Sequence, residues 1–182
     1  GAFTRINIPK SHRMGMEMEM GFKINKFISF NANLALSSNR IKDFNEFIYD
    51  ENGIAIINNY KNSTIAFSPS VVGFSNVDIR ITKQLEINLP LKYVSRQYLD
   101  NTENKNRSLD AYFNQDMGIR YKMVPKKLKE LEFFGRVNNV FNAKYAANGY
   151  TFSYIFSSEQ TTENYYFPMA TRFYSVGMNL SF

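Results

Sequence analysis

The sequence predicts an all-β protein, more narrowly a segment of an antiparallel transmembrane β-barrel with about seven long strands. Three observations support this fold class. Apolar and polar residues alternate with period two along most of the 182 residues, which is the pattern of a strand with two different faces. Several alternating runs are longer than the average globular strand of about five or six residues. Short and long connections also alternate between the runs.

The first run has the clearest alternation. From Met14 to Ile24, apolar side chains occupy every second position, with Gly, Glu or Lys between them. Successive side chains of a strand point to opposite faces, so this run predicts a strand rather than a helix. At about 3.3 Å per residue and a tilt of about 40°, its length suits the hydrocarbon layer of a membrane.

Six further runs follow in chain order, at 28–37, 64–80, 85–93, 109–123, 131–141 and 174–182. Pro69 and Gly73 predict a bend or bulge in the third run. No stretch approaches the about 18 consecutive apolar residues of a membrane-spanning helix. The apolar residues of these runs that we expect to face lipid are Met14, Met16, Met18, Met20, Phe22, Ile28, Phe30, Leu34, Leu85, Ile87, Leu89, Leu91, Phe113, Met117, Ile119, Val176, Met178 and Leu180.

The connections separate into two kinds. Those near Asn25, near Lys83 and over 125–130 are short, whereas those near 39–63, 96–107 and 142–167 are long and polar. Successive hairpins place all short turns at one end of a sheet and all long loops at the other. Transmembrane barrels have this asymmetry, with the long loops outside the cell.

Composition excludes several kinds of function. The chain has no cysteine and only one histidine, His12, so thiolate or histidine-rich metal sites are not expected. Its net charge is +6, but no Lys/Arg stripe marks a nucleic-acid partner. We expect no enzyme activity, no cofactor and no metal. Asp100, Glu103 and Asn104 could bind calcium in a loop, although EF-hand spacing is absent.

Four segments together resemble one family. The last ten residues, Phe173 to Phe182, resemble the terminal strand of outer-membrane barrels, with an aromatic residue last. The segment from Val137 to Tyr145 is similar to the "NNLFN–Y" segment of TonB-dependent outer-membrane receptors. Residues 92–101, and 148–154 followed by 165–170, look like the corresponding strand and last outer loop of such receptors in Bacteroidota.

This resemblance implies a function and a set of partners. Residues 1–182 would all belong to the C-terminal part of a barrel of about 22 strands, in a Gram-negative outer membrane. The plug domain of the receptor would not be among them. It would serve TonB-driven uptake of an iron chelate, haem or cobalamin, most closely of the siderophore type. TonB would act through the N-terminal part and the plug. The barrel assembly machinery would read the C-terminal strand through Tyr174, Val176, Met178, Leu180 and Phe182.

Aromatic and arginine side chains are favoured contact residues. The loop residues that we expect to contact ligand are therefore Arg96, Tyr98, Tyr150, Tyr154, Tyr165, Tyr166 and Arg172. Two other interpretations stay open. One is a self-contained eight-stranded outer-membrane barrel, structural or enzymatic, with residues 3–8 as its eighth strand. The other is a soluble β-sandwich binding module, in which the apolar rows would form the core.

Overall fold

The structure is a computed structural model that describes Ile8 and residues 10–182. Its strands are β1 (Ser11–Lys23), β2 (Ile28–Tyr49), β3 (Ala55–Thr64), β4 (Val71–Arg80), β5 (Leu85–Val94), β6 (Gln97–Tyr98), β7 (Ser108–Leu109), β8 (Tyr112–Gln115), β9 (Met117–Met123), β10 (Glu130–Asn138), β11 (Ala146–Phe156), β12 (Glu159–Pro168) and β13 (Phe173–Ser181). Nowhere in this part of the chain does a helix have the length and apolarity to cross a membrane. The proposed eighth strand at 3–8 lies outside the described residues except for Ile8.

One antiparallel sheet forms the body of the molecule. Its strands follow each other in the order β1-β2-β4-β5-β9-β10-β13, with β3 paired to β2 and β8 paired to β5. The all-β antiparallel prediction is therefore confirmed, and the seven predicted runs supply this path. Within the described residues, β1 and β13 each pair along one edge only. The sheet is open and its two outermost edges are unpaired.

The register places every predicted apolar row on the same face of this sheet. Met18 lies opposite Leu34, and in the middle of the sheet Ile87 lies opposite Ile119. Among the described residues no second layer covers this face, and Met14 remains 64% exposed and Val176 88% exposed. The buried apolar residues lie elsewhere, toward the long-loop end: Ile41, Ile48, Val94, Leu99 and Leu109.

The opposite face of the sheet is polar. At two of its glycines, a side chain from the neighbouring strand packs directly against the backbone. A Cβ atom on Gly118 would lie 2.0 Å from Oδ1 of Asn88, and one on Gly177 would lie 2.2 Å from the Phe134 ring. Each glycine therefore leaves room for a side chain from the neighbouring strand. Phe134 covers the backbone of β13, which is the last strand of the sheet.

A ladder of charges crosses the polar face near the short turns. Arg120 lies 3.9 Å from Glu86 and 3.6 Å from Glu132. Lys122 lies 3.2 Å from both Glu130 and Glu132. Together with the polar amides of the same face, this ladder requires water rather than lipid on this side of the sheet.

Four strand boundaries differ from the sequence prediction. β2 continues for 22 residues, and its outer half pairs with β3, so the connection at 39–63 is largely a hairpin. The third predicted strand is divided, because residues 65–70 leave the sheet and bond to other loops. The fifth is interrupted at Asp116, whose N–H donates to Pro90 O at 2.9 Å. Pro90 has no N–H to return, so the ladder breaks there.

The sixth predicted strand ends early, at Asn138, because a tight turn follows. Asn139 is 3% exposed, has a φ of 53° and donates its N–H to Asp116 Oδ1 at 2.9 Å. Its side-chain amide donates to Ala143 O at 2.8 Å and Ala170 O at 3.2 Å, and accepts from Ala143 N at 2.8 Å. Asn142 (φ 54°) accepts from the Arg172 N–H at 3.0 Å. The asparagines of the 137–145 motif therefore build the exit from β10.

Candidate functional site

Three segments meet at the long-loop end of the sheet, and one side chain joins them. Arg107, whose side chain is 4% exposed, donates from Nη1 to Glu46 Oε1 on β2 and to Asp100 Oδ2, the latter at 3.0 Å. Its Nη2 donates to Thr162 Oγ1 on β12 at 3.3 Å. The outer part of β2, the connection containing β6 and β7, and the β11–β12 hairpin thus share one guanidinium.

The two carboxylates keep this buried guanidinium charged. Burial has the largest influence on the pKa of Arg107 and lowers it, but hydrogen bonds to Glu46 and Asp100 outweigh burial and raise the pKa overall. The phenol of Tyr60 donates to Glu46 Oε2 at 2.9 Å. Burial, and then the bond to Glu46, raise the pKa of Tyr60. The raised pKa values keep the Arg107 guanidinium charged and the Tyr60 phenol neutral near neutral pH.

The acidic residues that could have bound calcium have protein partners instead. Glu103 accepts from Arg40 Nη1 at 2.8 Å and from Thr64 N at 2.9 Å. Asp100 accepts from Thr102 as well as from Arg107. In the part of the chain that the structure describes, no group of three or more His, Asp or Glu residues is arranged to hold a metal ion.

The β11–β12 hairpin carries an aromatic face. The Tyr150 and Tyr165 rings are stacked with centroids 4.8 Å apart, Phe152 lies 6.0 Å from Tyr165, and Tyr154 lies 6.0 Å from Phe152. Glu163 on the same face accepts hydrogen bonds from the phenols of Tyr154 and Tyr165. These bonds raise the pKa of both phenols.

This aromatic face points away from the rest of the described chain. Its rings are more than one-third exposed. Strand side chains alternate between faces, so Thr162 and Asn164, which contact the 99–107 segment, lie on the opposite face of the hairpin. The rings are therefore free to contact a ligand or another surface.

An open pocket of about 480 Å³ lies beside the hairpin. Residues from β7–β8, from 143–146 and from β12 line it, including Tyr112, Tyr145, Tyr166, Lys144 and Asp110. Tyr112 and Tyr145 are stacked with centroids 4.2 Å apart, which makes one wall rigid. The volume falls in the usual range for small-molecule sites, and the lining combines rings with a few polar groups.

The structure brings together three of the seven predicted ligand residues. Tyr150, Tyr154 and Tyr165 share the aromatic face, whereas Tyr166 lies on the opposite face and lines the pocket. The other three do not belong to the aromatic face. Arg96 bonds to Asp110 at 3.2 Å, and Tyr98 lies in β6 opposite Ser108. The main-chain N–H of Arg172 donates to Asn142.

Sequence reasoning missed several residues of this region. Phe152 could have been found, because it continues the every-second-residue spacing of aromatic residues around it. Tyr112, Tyr145 and Arg107 carried no such signal, since their partners are distant in the chain.

Comparison with known proteins identifies the family. The model of the family described as "Outer membrane protein beta-barrel family" matches residues 2–181. The chain belongs to this family. Its members lie in the outer membrane of Gram-negative bacteria, where the exposed apolar face of the sheet is surrounded by lipid. The β-sandwich interpretation is therefore wrong: this outer-membrane barrel chain has its apolar rows on an uncovered face and not in a core.

Solved receptor structures have the same fold. The siderophore receptor PiuA from Acinetobacter baumannii aligns with a TM-score of 0.72 at 16% identity, over 94% of this chain and 22% of that chain. The ferric-catecholate import receptor Fiu from E. coli K12 aligns at 0.62 and 14% identity, over 94% and 21%. A mutant of the ferric enterobactin receptor PfeA from Pseudomonas aeruginosa aligns at 0.59 and 16% identity, over 97% and 23%.

These identities are low, so the likeness establishes the fold alone. This outer-membrane barrel chain spans between 21% and 23% of the length of those three receptors. No curated protein matches its sequence.

Proposed function

We propose that the chain is the C-terminal part of the barrel of a TonB-dependent receptor that imports an iron chelate. The observation that carries this proposal is the open sheet, whose two outermost edges have no partner strand among the described residues. A strand edge in lipid would leave backbone groups without hydrogen bonds, so further strands must complete the wall. The solved siderophore receptors, of which a similar arc is only about a fifth, support a larger barrel. Haem or cobalamin would be alternative ligands.

In this proposal the chain supplies wall and loops, and other parts of the receptor supply the energised step. The apolar face contacts outer-membrane lipid, the polar face surrounds the plug, and TonB acts on the plug from the periplasm. The long-loop end faces outward and contacts the ligand. We expect transport and not catalysis, because the neighbours with this fold are receptors.

The pocket favours an anionic, oxygen-rich chelate. Lys144 lies in its lining, and three phenols beside it can donate hydrogen bonds to oxygen atoms. Arg96 already neutralises Asp110, the acidic residue of the lining. The aromatic face formed by Tyr150, Phe152 and Tyr165 would offer rings to stack on a flat chelating group.

The decisive experiment measures uptake by the full-length receptor. The complete reading frame is expressed in a bacterial strain without its own iron-chelate receptors, and uptake of radioactive iron is measured with ferric citrate and a ferric tris-catecholate. Uptake that disappears when TonB is deleted supports the proposal. Uptake that is independent of TonB would contradict it. A monomeric, heat-modifiable barrel formed by the 182 residues alone would support the eight-stranded alternative instead.

Replacing Lys144 with Gln tests the pocket. We expect the half-saturating concentration of an anionic chelate to rise about tenfold, which corresponds to about 1.4 kcal/mol, because the ligand loses a charge-assisted hydrogen bond. The measurement is the concentration dependence of iron uptake. Lys105→Gln is the matched control, since Lys105 is exposed and does not line the pocket. Equal effects of the two variants would exclude a role for the pocket.

Phe182 tests the proposed C-terminal assembly signal. Phe182 is 80% exposed at the end of the chain, so its replacement by Ala removes no packing in the described structure. We expect Phe182→Ala to lower the amount of heat-modifiable receptor in outer-membrane fractions severalfold, with Ser181→Ala unchanged. Normal assembly of Phe182→Ala would show that the terminal aromatic residue is not read.

A further inference from the structure

We propose that Arg107 is a positioning residue, which holds the β11–β12 hairpin in place at the ligand-binding loops. Releasing this contact would loosen the hairpin and weaken ligand binding without affecting the barrel wall. The link to ligand binding rests on the proposed function, whereas the link to the hairpin stands on geometry alone.

The hairpin has few polar contacts with the segments around it. In the described chain, its side chains form two such hydrogen bonds: Thr162 Oγ1 accepts from Arg107 Nη2 at 3.3 Å, and Asn164 Nδ2 donates to Asn106 O at 2.8 Å. Close packing also connects the two, because a Cβ on Gly149 would lie 3.2 Å from the Leu99 side chain. These three partners belong to the 99–107 segment, which therefore provides the polar contacts of the hairpin, while β11 also packs against β2 and β7.

Arg107 in turn holds the 99–107 segment against β2. Its bonds to Asp100 within the segment and to Glu46 on β2 are charge-assisted, and the side chain is almost completely buried. Charge-assisted bonds are roughly twice as strong as neutral ones. The bond to Thr162 has a neutral acceptor and is the longest of the three at 3.3 Å, so it is the weakest and the first that can open.

The same interface contains an unmatched donor and an unmatched acceptor. Nε of Arg107 and Oδ1 of Asn164 are both buried without a hydrogen-bond partner among the described residues. Each of these atoms is desolvated without compensation, which is unfavourable.

A lysine could not replace this arginine. The planar guanidinium presents five donors in a fixed fork, whereas an ammonium is a single point charge on a flexible stem. Arg107→Lys would keep an ion pair with Glu46 or Asp100 and lose the simultaneous reach to Thr162. We therefore expect Arg107→Lys to lose the Thr162 bond together with one of the two ion pairs.

Thr162→Val combined with Asn164→Ala is the sharpest test variant. It removes both polar contacts of the hairpin with the 99–107 segment, together with the bond between Ser153 and Thr162 inside the hairpin. It leaves the ion pairs of Arg107 with Glu46 and Asp100 intact, so the protein should fold. Ser153→Ala is the matched control, because it removes only the bond between Ser153 and Thr162 inside the hairpin and no contact with the 99–107 segment.

The experiment is carried out on the full-length receptor in detergent. Hydrogen–deuterium exchange measures the hairpin, 146–168, against β5 in the wall, and the affinity for a ferric tris-catecholate is measured on the same samples. In the double variant and in Arg107→Lys we expect about tenfold faster exchange in the hairpin, unchanged exchange in β5, and about tenfold weaker chelate binding. Ser153→Ala should match the wild type.

Unchanged exchange in the hairpin would overturn the proposal whatever happens to binding. Faster exchange with unchanged affinity would also overturn it, because the position of the hairpin would then not matter to the ligand. A wild-type receptor that binds and transports no chelate would contradict the proposed function. In that case the exchange result alone decides whether Arg107 positions the hairpin.

Discussion

Replacing Met18 with Arg is expected to prevent the receptor from accumulating as a folded barrel. Met18 lies in the middle of β1 on the apolar face, opposite Leu34, and is 41% exposed. A charged side chain at the middle of a membrane costs about 2–4 kcal/mol on the lipid face of a barrel. That is a large part of the total stability of about 5–15 kcal/mol of a typical protein. Heat-modifiable migration of outer-membrane fractions on electrophoresis measures the folded amount.

The neighbouring residue provides the control. Glu19 belongs to the same strand, but its side chain points to the polar face, opposite Asn33. Glu19→Arg changes the charge without placing it in lipid, so we expect near-normal folding. Equal loss of folding in both variants would mean that the two faces of β1 are in the same environment, and the assignment of lipid to the apolar face would be wrong.

Replacing Asn139 with Ala is expected to destabilise the barrel by about 2–4 kcal/mol. The change removes three side-chain hydrogen bonds at a buried position and leaves main-chain groups without partners. It also places Ala at a φ of 53°, a left-handed conformation that costs about 1–2 kcal/mol for an L-residue. The midpoint of urea unfolding of the purified receptor measures the loss.

Two companion variants separate these contributions. Asn139→Gly removes the hydrogen bonds but tolerates the positive φ, so its loss should be smaller than that of Asn139→Ala. Asn138→Ala is the control, because the Asn138 side chain forms no hydrogen bond to the described residues and its backbone continues β10. If Asn138→Ala were as unstable as Asn139→Ala, the asparagine turn would not be what stabilises the exit from β10.

Part of this fold can be predicted because strand geometry is local. The alternation from Met14 onward requires only that neighbouring side chains point to opposite faces, and the structure confirms it along β1 and across the sheet. The interruption of the strand at Asp116 was harder to predict from the sequence. It follows from Pro90, which is 26 positions earlier in the chain and becomes its neighbour only when β5 pairs with the β8–β9 region.

The candidate site was predicted less completely than the wall. Aromatic residues of the last long connection were expected to contact ligand, yet nothing in the sequence indicated that they form a hairpin with separate aromatic and docking faces. The alternation of side chains between the two faces of a strand separates lipid-facing from water-facing residues in the wall. In the β11–β12 hairpin it separates ligand-facing from loop-facing residues. Only the pairing of β11 with β12 shows to which face Tyr165 and Tyr166 belong.

The sequence by itself therefore determined the all-β class, the apolar face and the separation of short turns from long connections. Tertiary structure alone decided how those connections are held together. Arg107 meets Glu46 across 61 positions of the chain and Thr162 across 55. The physical reason is that alternation is set by the backbone of each strand, whereas an ion pair exists only after distant loops have been brought into contact.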